Sequence, residues 1–274
     1  SVAIPASVAS IGDLVFYGCS RLESIDVNSN NLQFSSIDGI LFTKNHKALL
    51  CFPPRHHLSN YTIPTGVTSI DACAFSNCSN LRSITIPVGV ASIGYKAFSG
   101  CSNLRSITIP TSVTSIDEET FSNCSNLQSI TIPTGVTSIG YRAFSGCWNL
   151  ESISLPISVT SIGEKAFCYC SKLQSITIPT GVTSIGYKSF YGCSNLQSIT
   201  FPASVTSIGD SAFYLCSSIQ SITIPIGVTS VGSFLFACCS NLHSIVIPNH
   251  FVNQIEYILS GISQLIDVFF SSSD

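Results

Sequence analysis

Charge is what this sequence has least of. Lys, Arg, Asp and Glu make up 9% of its 274 residues, against about a quarter in ordinary soluble domains. The formal net charge is −3 and no basic cluster stands anywhere, so there is no electrostatic footprint for nucleic acid, and none is expected as a partner. No uninterrupted apolar run reaches the roughly 18–20 residues that cross a bilayer, so membrane insertion is not expected either. Methionine is absent altogether. With no initiator and no leader visible, the chain reads as a mature or excised fragment. There is no C-x-x-C pair, and none of the histidines stands at ligand spacing from Cys, Asp or Glu, so no metal and no cofactor is expected. His56 and His57 follow Pro53-Pro54 and read as a solvated loop, and Glu118-Glu119 as a solvent-facing pair. A nucleophile elbow, a phosphate loop and a Ser/His/Asp set are all missing. No catalytic residue is assigned, and the protein is expected not to be an enzyme.

What is present is a beat. Pro64, Pro87, Pro110, Pro133, Pro156, Pro179, Pro202, Pro225 and Pro248 recur every 23 residues without a slip. A fixed period of about 20–50 residues marks a stacked array, in which no unit can bury its apolar face alone. Counting each proline as position 0, position 3 is Val in every copy from Val67 to Val228, and position 6 is Ile over the same copies, with Val231 as the exception. Position 11 is Phe from Phe75 to Phe236, position 14 is Cys from Cys78 to Cys239, and position 17 is Leu except for Ile219. The segment L-x-S-I-T-I alternates, which places Ile at positions 20 and 22 on a buried face and Ser and Thr on the other. It predicts a short strand, stacked on its neighbours as a parallel sheet and ended by the next proline, which has no N–H to donate. V-T-S-I-G crosses to the far side, and x-x-A-F-x-x-C has the spacing of one helical turn with Phe and Cys inward.

These residues resemble a known family. L-x-x-I-x-I-P-x-x-V-x-x-I-G-x-x-A-F-x-x-C is similar to the BspA-type (Treponema-type) leucine-rich repeat over nearly all of residues 1–250, with Pro and small residues where commoner leucine-rich repeats carry an Asn ladder. The resemblance implies a repeat solenoid with a parallel β-sheet on its concave side, and short helical turns and extended segments on the other. It also implies a surface-exposed or secreted recognition or adhesion protein.

The beat breaks once and then ends. Pro5 opens a good copy, but Asn28 stands where the next proline is due, and Pro64 comes 36 residues later instead of 23. Asp38-Gly39 between short apolar runs is a tight-hairpin signal, and Lys44–Lys47 makes a second turn. A three-strand meander is therefore predicted over about 33–52, inside a longer repeat at 28–63. Beyond the solenoid at 1–250, Phe251, Ile255, Ile258, Ile262, Leu265 and Phe269 recur at helical spacing. They predict a capping helix near 251–270, within a C-terminal segment at 251–274.

Nine of the thirteen cysteines form one column and are expected as free thiols inside the turns, since parallel side chains on stacked rungs disfavour bridging. The candidate binding face is the solvent side of the strands. Position 18 carries Arg82, Arg105, Gln128, Glu151, Gln174, Gln197, Gln220 and His243, and position 21 carries Thr85, Thr108, Thr131, Thr177 and Thr200. Such a face suits a protein or glycan ligand. The near-identity of the rungs keeps open a structural spacer that self-associates, and the Ser-Ile-Thr rows keep open an ice-binding solenoid, which a curved sheet would spoil. Asn60, Asn77 and Asn123 begin N-glycosylation sequons. A second period of 46 residues shows in Tyr95, Tyr141 and Tyr187, with acids at the same place in the copies between, and in the alternation of Gly89, Ser112, Gly135 and Ser158.

Overall fold

A computed structural model describes residues 1–12, 14–262, 264 and 266–272. The period becomes a rung. The proline both ends a strand and opens a β-turn: the N–H of Val at position 3 donates to the proline carbonyl three residues back, as in Val136 to Pro133 at 3.0 Å. This turn aims the chain at the far side of the core. Strands Asn60–Thr62, Ser83–Thr85, Ser106–Thr108, Ser129–Thr131, Ser152–Ser154, Ser175–Thr177 and Ser198–Thr200 then form one parallel sheet in sequence order. Register is strict, Ser106 facing Ser129 and Thr108 facing Thr131. Each central Ile points into the core or nearly so, and its neighbours face solvent. A second row of two-residue strands, such as Ser115–Ile116 and Ser138–Ile139, pairs on the opposite side.

The x-x-A-F-x-x-C segment departs from the expected helical turn. The N–H groups at positions 10, 12 and 14 close back three residues, as in Ala143 to Gly140, Ser145 to Arg142 and Cys147 to Phe144. Those at positions 9, 11 and 13 leave the rung and donate to the next one: Arg142 to Glu164 at 3.0 Å, Phe144 to Ala166 at 2.8 Å and Gly146 to Cys168 at 2.8 Å. A helix would keep all of its amides in its own segment. Here positions 9 and 13 are left-handed, Arg142 at φ 51° and Gly146 at φ 75°, and every second N–H is turned outward to the neighbour. The result is a ladder of turns.

That ladder carries a two-rung alternation of its own. Position 13 alternates Asn77, Gly100, Asn123, Gly146, Tyr169, Gly192. A Cβ on Gly146 would lie 2.5 Å from Asn123 Oδ1, and one on Gly192 would lie 2.6 Å from the Tyr169 ring. On these rungs an Asn or Tyr side chain occupies the space over the next rung, where glycine leaves room for it; Leu215 and Cys238 then follow on adjacent rungs without the alternation.

The core is a set of stacked columns. Phe98, Phe121, Phe144, Phe167, Phe190 and Phe213 are fully buried, and successive rings stack at 5.5 Å, with interplanar angles of 3° to 8°. The cysteines are unbridged. From Cys78 to Cys239 each column thiol donates to the Phe carbonyl of the preceding rung, or to the Phe52 carbonyl for Cys78, at 3.1 to 3.4 Å. Burial pushes these thiols up, to about 12 in Cys101 and Cys147. Cys19 differs from its expected place inside the turn: it is exposed, and Phe16 is only half-buried. Asn at position 16 supplies a cross-rung amide ladder that the sequence reading did not expect, with Asn126 donating to the Ser102 carbonyl at 2.7 Å and Asn149 to the Ser125 carbonyl at 2.7 Å.

The break is a true meander. Phe34–Ile37, Ile40–Thr43 and Ala48–Cys51 pair antiparallel, with Asp38 and Gly39 both at positive φ in the first turn. Its last strand joins the two-residue row at Ser69–Ile70. Its first hairpin covers the edge of Ile25–Val27, where Ile25 N–H donates to the Gly39 carbonyl and Val27 N–H to Ser36 Oγ. The N-terminal rungs therefore bury a small core of their own, with Ile4, Leu22, Ile25, Leu41 and Cys51, apart from the long one. His56 is a correction to the solvated-loop reading. It is buried against Phe52 at 4.7 Å, and its Nε2 meets the Asp38 carbonyl at 2.8 Å.

The C-terminal helix is shorter than its spacing implies. A 3₁₀ turn at Asn249–Gln254 runs into a helix at Ile255–Ile258, which buries Phe251 and Ile258. Gly261 at φ 82° follows, and Asp267–Ser271 is a strand paired with Ser244–Pro248. Ser244 faces Asp267, which keeps the 23-residue step. The tail is one more rung with its turn ladder replaced by a helix, and Phe269, assigned to a helix face, is exposed. Leu265 of that pattern lies outside the described residues.

Two stability predictions follow from these columns. Phe144→Ala removes a fully buried ring and should cost about 3–5 kcal/mol in urea unfolding. Phe16→Ala, at the half-buried first copy, should cost much less, and equal costs would contradict the stacked-core assignment. The raised thiols bind protons more tightly in the folded state, so their contribution is full below the ordinary thiol value near 9 and is lost as pH climbs towards 12. The urea midpoint should fall between pH 8 and 11, and fall less in Cys124→Ala/Cys147→Ala. The same slope in both proteins would mean that these thiols do not titrate from a buried state.

Candidate functional site

The candidate face is built by the strand ladder itself. Position 18 immediately precedes each strand, and its backbone joins the cross-rung bonding: Gln128 N–H donates to the Arg105 carbonyl, Glu151 to Gln128, Gln174 to Glu151, Gln197 to Gln174 and His243 to Gln220, at 2.9 to 3.2 Å. The side chains therefore stand in file at the rung repeat, about 4.8 Å. Arg82, Arg105, Gln128, Glu151, Gln174, Gln197, Gln220 and His243 are all exposed, as are Thr85, Thr108, Thr131, Thr177 and Thr200. Every residue assigned to this face lies on it. Among the described residues none of Arg82, Arg105 and Glu151 has an ion-pair partner. The face is thus two free guanidiniums on adjacent rungs, one carboxylate two rungs from Arg105, and a run of amides and hydroxyls. It can donate and accept hydrogen bonds over a long track, and it holds no assembled acid–base pair.

The sequon residues scatter. Asn60 lies on the strand face, where its Oδ1 accepts from Ser83 Oγ at 2.6 Å. Asn77 and Asn123 lie on the turn ladder at left-handed φ, with their oxygens over Gly100 and Gly146.

The turn ladder presents a second surface that sequence reading only half found. It noted Tyr95, Tyr141 and Tyr187 and the acids between them. The bases after those tyrosines, Arg142 and Lys188, are legible at the same spacing; Lys165 on the rung between them, which makes three successive position-9 cations, is not. Their heads lie over tyrosine rings: Arg142 at 5.1 Å from the Tyr141 centroid, Lys165 at 5.8 Å from Tyr141 and 5.2 Å from Tyr187, and Lys188 at 5.0 Å from Tyr187. At the head of the row, Lys96 pairs with Glu119 at 3.4 Å. Beside the cations stand Tyr169, Tyr191 and Tyr214, the last two stacked at 4.9 Å. The signal was available, since counting one column at single-rung spacing reveals the cations; the two-rung alternation hid it.

The BspA-type leucine-rich repeat model matches residues 1–54, 49–174 and 160–273, in six copies. This chain belongs to the BspA-type leucine-rich repeat family. Solved structures with the same fold include a leucine-rich repeat protein from Eubacterium ventriosum, 28% identical, with a TM-score of 0.60 over 86% of this chain and 57% of that one. A leucine-rich repeat protein from Bacteroides ovatus is 23% identical, with a TM-score of 0.60 over 98% of this chain and 83% of that one. The T. pallidum leucine-rich repeat protein is 23% identical, with a TM-score of 0.59 over 87% and 98%. This chain spans little more than half the length of the E. ventriosum protein. No curated protein sequence matches it.

Proposed function

We propose that this chain is a non-enzymatic recognition module of the cell surface or extracellular space, binding a protein or glycan ligand through the solvent face of the long sheet. The observation that carries the reading is the file of exposed position-18 side chains. They are locked in register by their own backbone hydrogen bonds and led by two unpaired arginines on adjacent rungs. A backbone already fixed by the ladder loses little conformational freedom on binding, which favours use of this surface over a loop. Burial of the thiol column fits an oxidising location, since thiols held protonated and away from solvent resist disulfide exchange. Self-association as a spacer is the second reading, favoured by the near-identity of Ser106–Thr108, Ser129–Thr131 and Ser175–Thr177.

The test is binding to a panel of purified matrix proteins and immobilised glycans. Arg82→Glu/Arg105→Glu should weaken the strongest response at least tenfold, and Gln128→Trp/Gln174→Trp/Gln197→Trp should do the same by blocking the track. A ligand held equally well by both variants would defeat the sheet-face reading. Concentration-dependent assembly in light scattering, with no response to the panel, would replace it with the spacer.

A further inference from the structure

The cation row on the turn ladder is electrostatically odd. Like charges on adjacent rungs repel, and directly opposed like charges are a net cost in a sheet. Lys96 and Glu119 show the ordinary remedy, an ion pair across one rung. Arg142, Lys165 and Lys188 lack it: among the described residues none of the three has a carboxylate within ion-pair reach, although Glu164 stands exposed in the same rung as Lys165. Tyrosine rings hold them instead. A ring face steadies a cation without cancelling its charge, so the charge stays available to an outside anion.

The surroundings are concave and rich in hydroxyls. One groove of about 240 Å³ is lined by Arg142, Ser145, Lys165, Cys168, Tyr169, Lys188 and Tyr191. A neighbouring one of about 410 Å³ continues past Lys188, Tyr191 and Tyr214 to Phe234 and Gly261. Lys188 and Tyr191 belong to both. Burial and the neighbouring Tyr169 hydroxyl keep the Tyr191 phenol protonated, pushed up to about 12, so it remains a donor. Tyr191 and Tyr214 lie with their rings stacked and near-parallel, 2° apart.

We propose that this edge of the solenoid, from Arg142 to Tyr214, is a binding site for a linear anionic polysaccharide that lies along the solenoid axis. Its sulfate or carboxylate groups meet Arg142, Lys165 and Lys188, and its sugar hydroxyls and ring faces meet the tyrosines. The rung spacing selects against a peptide. An extended peptide repeats side chains on one face every two residues, roughly 6.6–6.8 Å, whereas rungs repeat at about 4.8 Å. Acidic side chains would slip by about 2 Å per rung. A polysaccharide with anionic groups on successive sugars, and free rotation about its linkages, can follow the row.

Heparin is the probe, titrated against the whole chain at low salt, with neutral dextran, poly-glutamate and single-stranded DNA as competitors. Heparin should bind with an affinity that falls steeply with salt, and dextran should not compete. Arg142→Ser/Lys165→Ser/Lys188→Ser should weaken heparin at least tenfold and flatten the salt dependence. Tyr191→Ala/Tyr214→Ala, which leaves every charge in place, should weaken it about threefold or more. Gln128→Trp/Gln174→Trp/Gln197→Trp, which blocks the other face without changing any charge, should bind heparin as the wild type does, so the fate of the sheet-face reading is read separately. A matching thermal midpoint in the triple-serine protein keeps a loss of binding from being a loss of fold. The proposal is overturned by undiminished heparin binding in the triple-serine protein, by no effect of the tyrosine changes, or by poly-glutamate or DNA competing as well as heparin competes with itself.

Discussion

The outward-turned amide is the constraint on which this structure rests. In a free-standing segment each turn would close its own hydrogen bonds. Here the left-handed residues at positions 9 and 13 send N–H groups to the neighbouring rung, at cost to the local backbone. The neighbour's carbonyl compensates only if it stands one rung away in strict register. Every other column inherits that register. The phenylalanine rings stack face to face because their backbones are so spaced, and each thiol finds the carbonyl of the rung before it for the same reason. A slip of one residue would unsatisfy three amides per rung together with a buried thiol, and this penalty repeats along the array.

Register also governs what the surface can do. Where rungs are identical, chemistry repeats at the rung spacing whether or not a ligand wants it to. The strand face shows this in its mostly uniform threonines. The turn edge varies more: from Asn77 to Gly192 an Asn or Tyr at position 13 fills the space above the glycine of the next rung, and the alternation then gives way to Leu215 and Cys238 on adjacent rungs. Position 9 carries no such alternation, and there three cations follow one another.

The period, the core columns, the meander and the thiol state were legible in the sequence because each depends on one residue type recurring at one spacing. Phe, Cys and Val report burial, and Asp38-Gly39 reports a turn whose both central residues need positive φ. The helical turn was misread because A-F-x-x-C places its apolar residues as a helix would, and left-handed φ at Arg142 or Lys165 leaves no mark in residue identity. The tail misled in the same way. Phe251 to Ile258 is helical, but Asp267–Ser271 answers to its 23-residue partner at Ser244–Pro248 rather than to its own apolar spacing. Burial of His56 leaves no mark in the local sequence because its partner, the Asp38 carbonyl, belongs to the hairpin.

Two surfaces on one solenoid need not share a ligand, and their physics argues that they do not. On the strand face the side chains stand on a hydrogen-bonded sheet, and discrimination must come from the few columns that vary, position 18 above all. On the turn edge the backbone is equally fixed, but the cations are held by rings rather than by carboxylates. Charge held that way stays uncancelled and repeats at the rung spacing, which suits a polysaccharide with anionic groups along its length. Surface arginines and amides in file, by contrast, reward a partner with its own fixed pattern of donors and acceptors. A polyanion held along the edge would leave the sheet face open, so both could be occupied at once, and the rigid rungs between them would fix the spacing of the two partners.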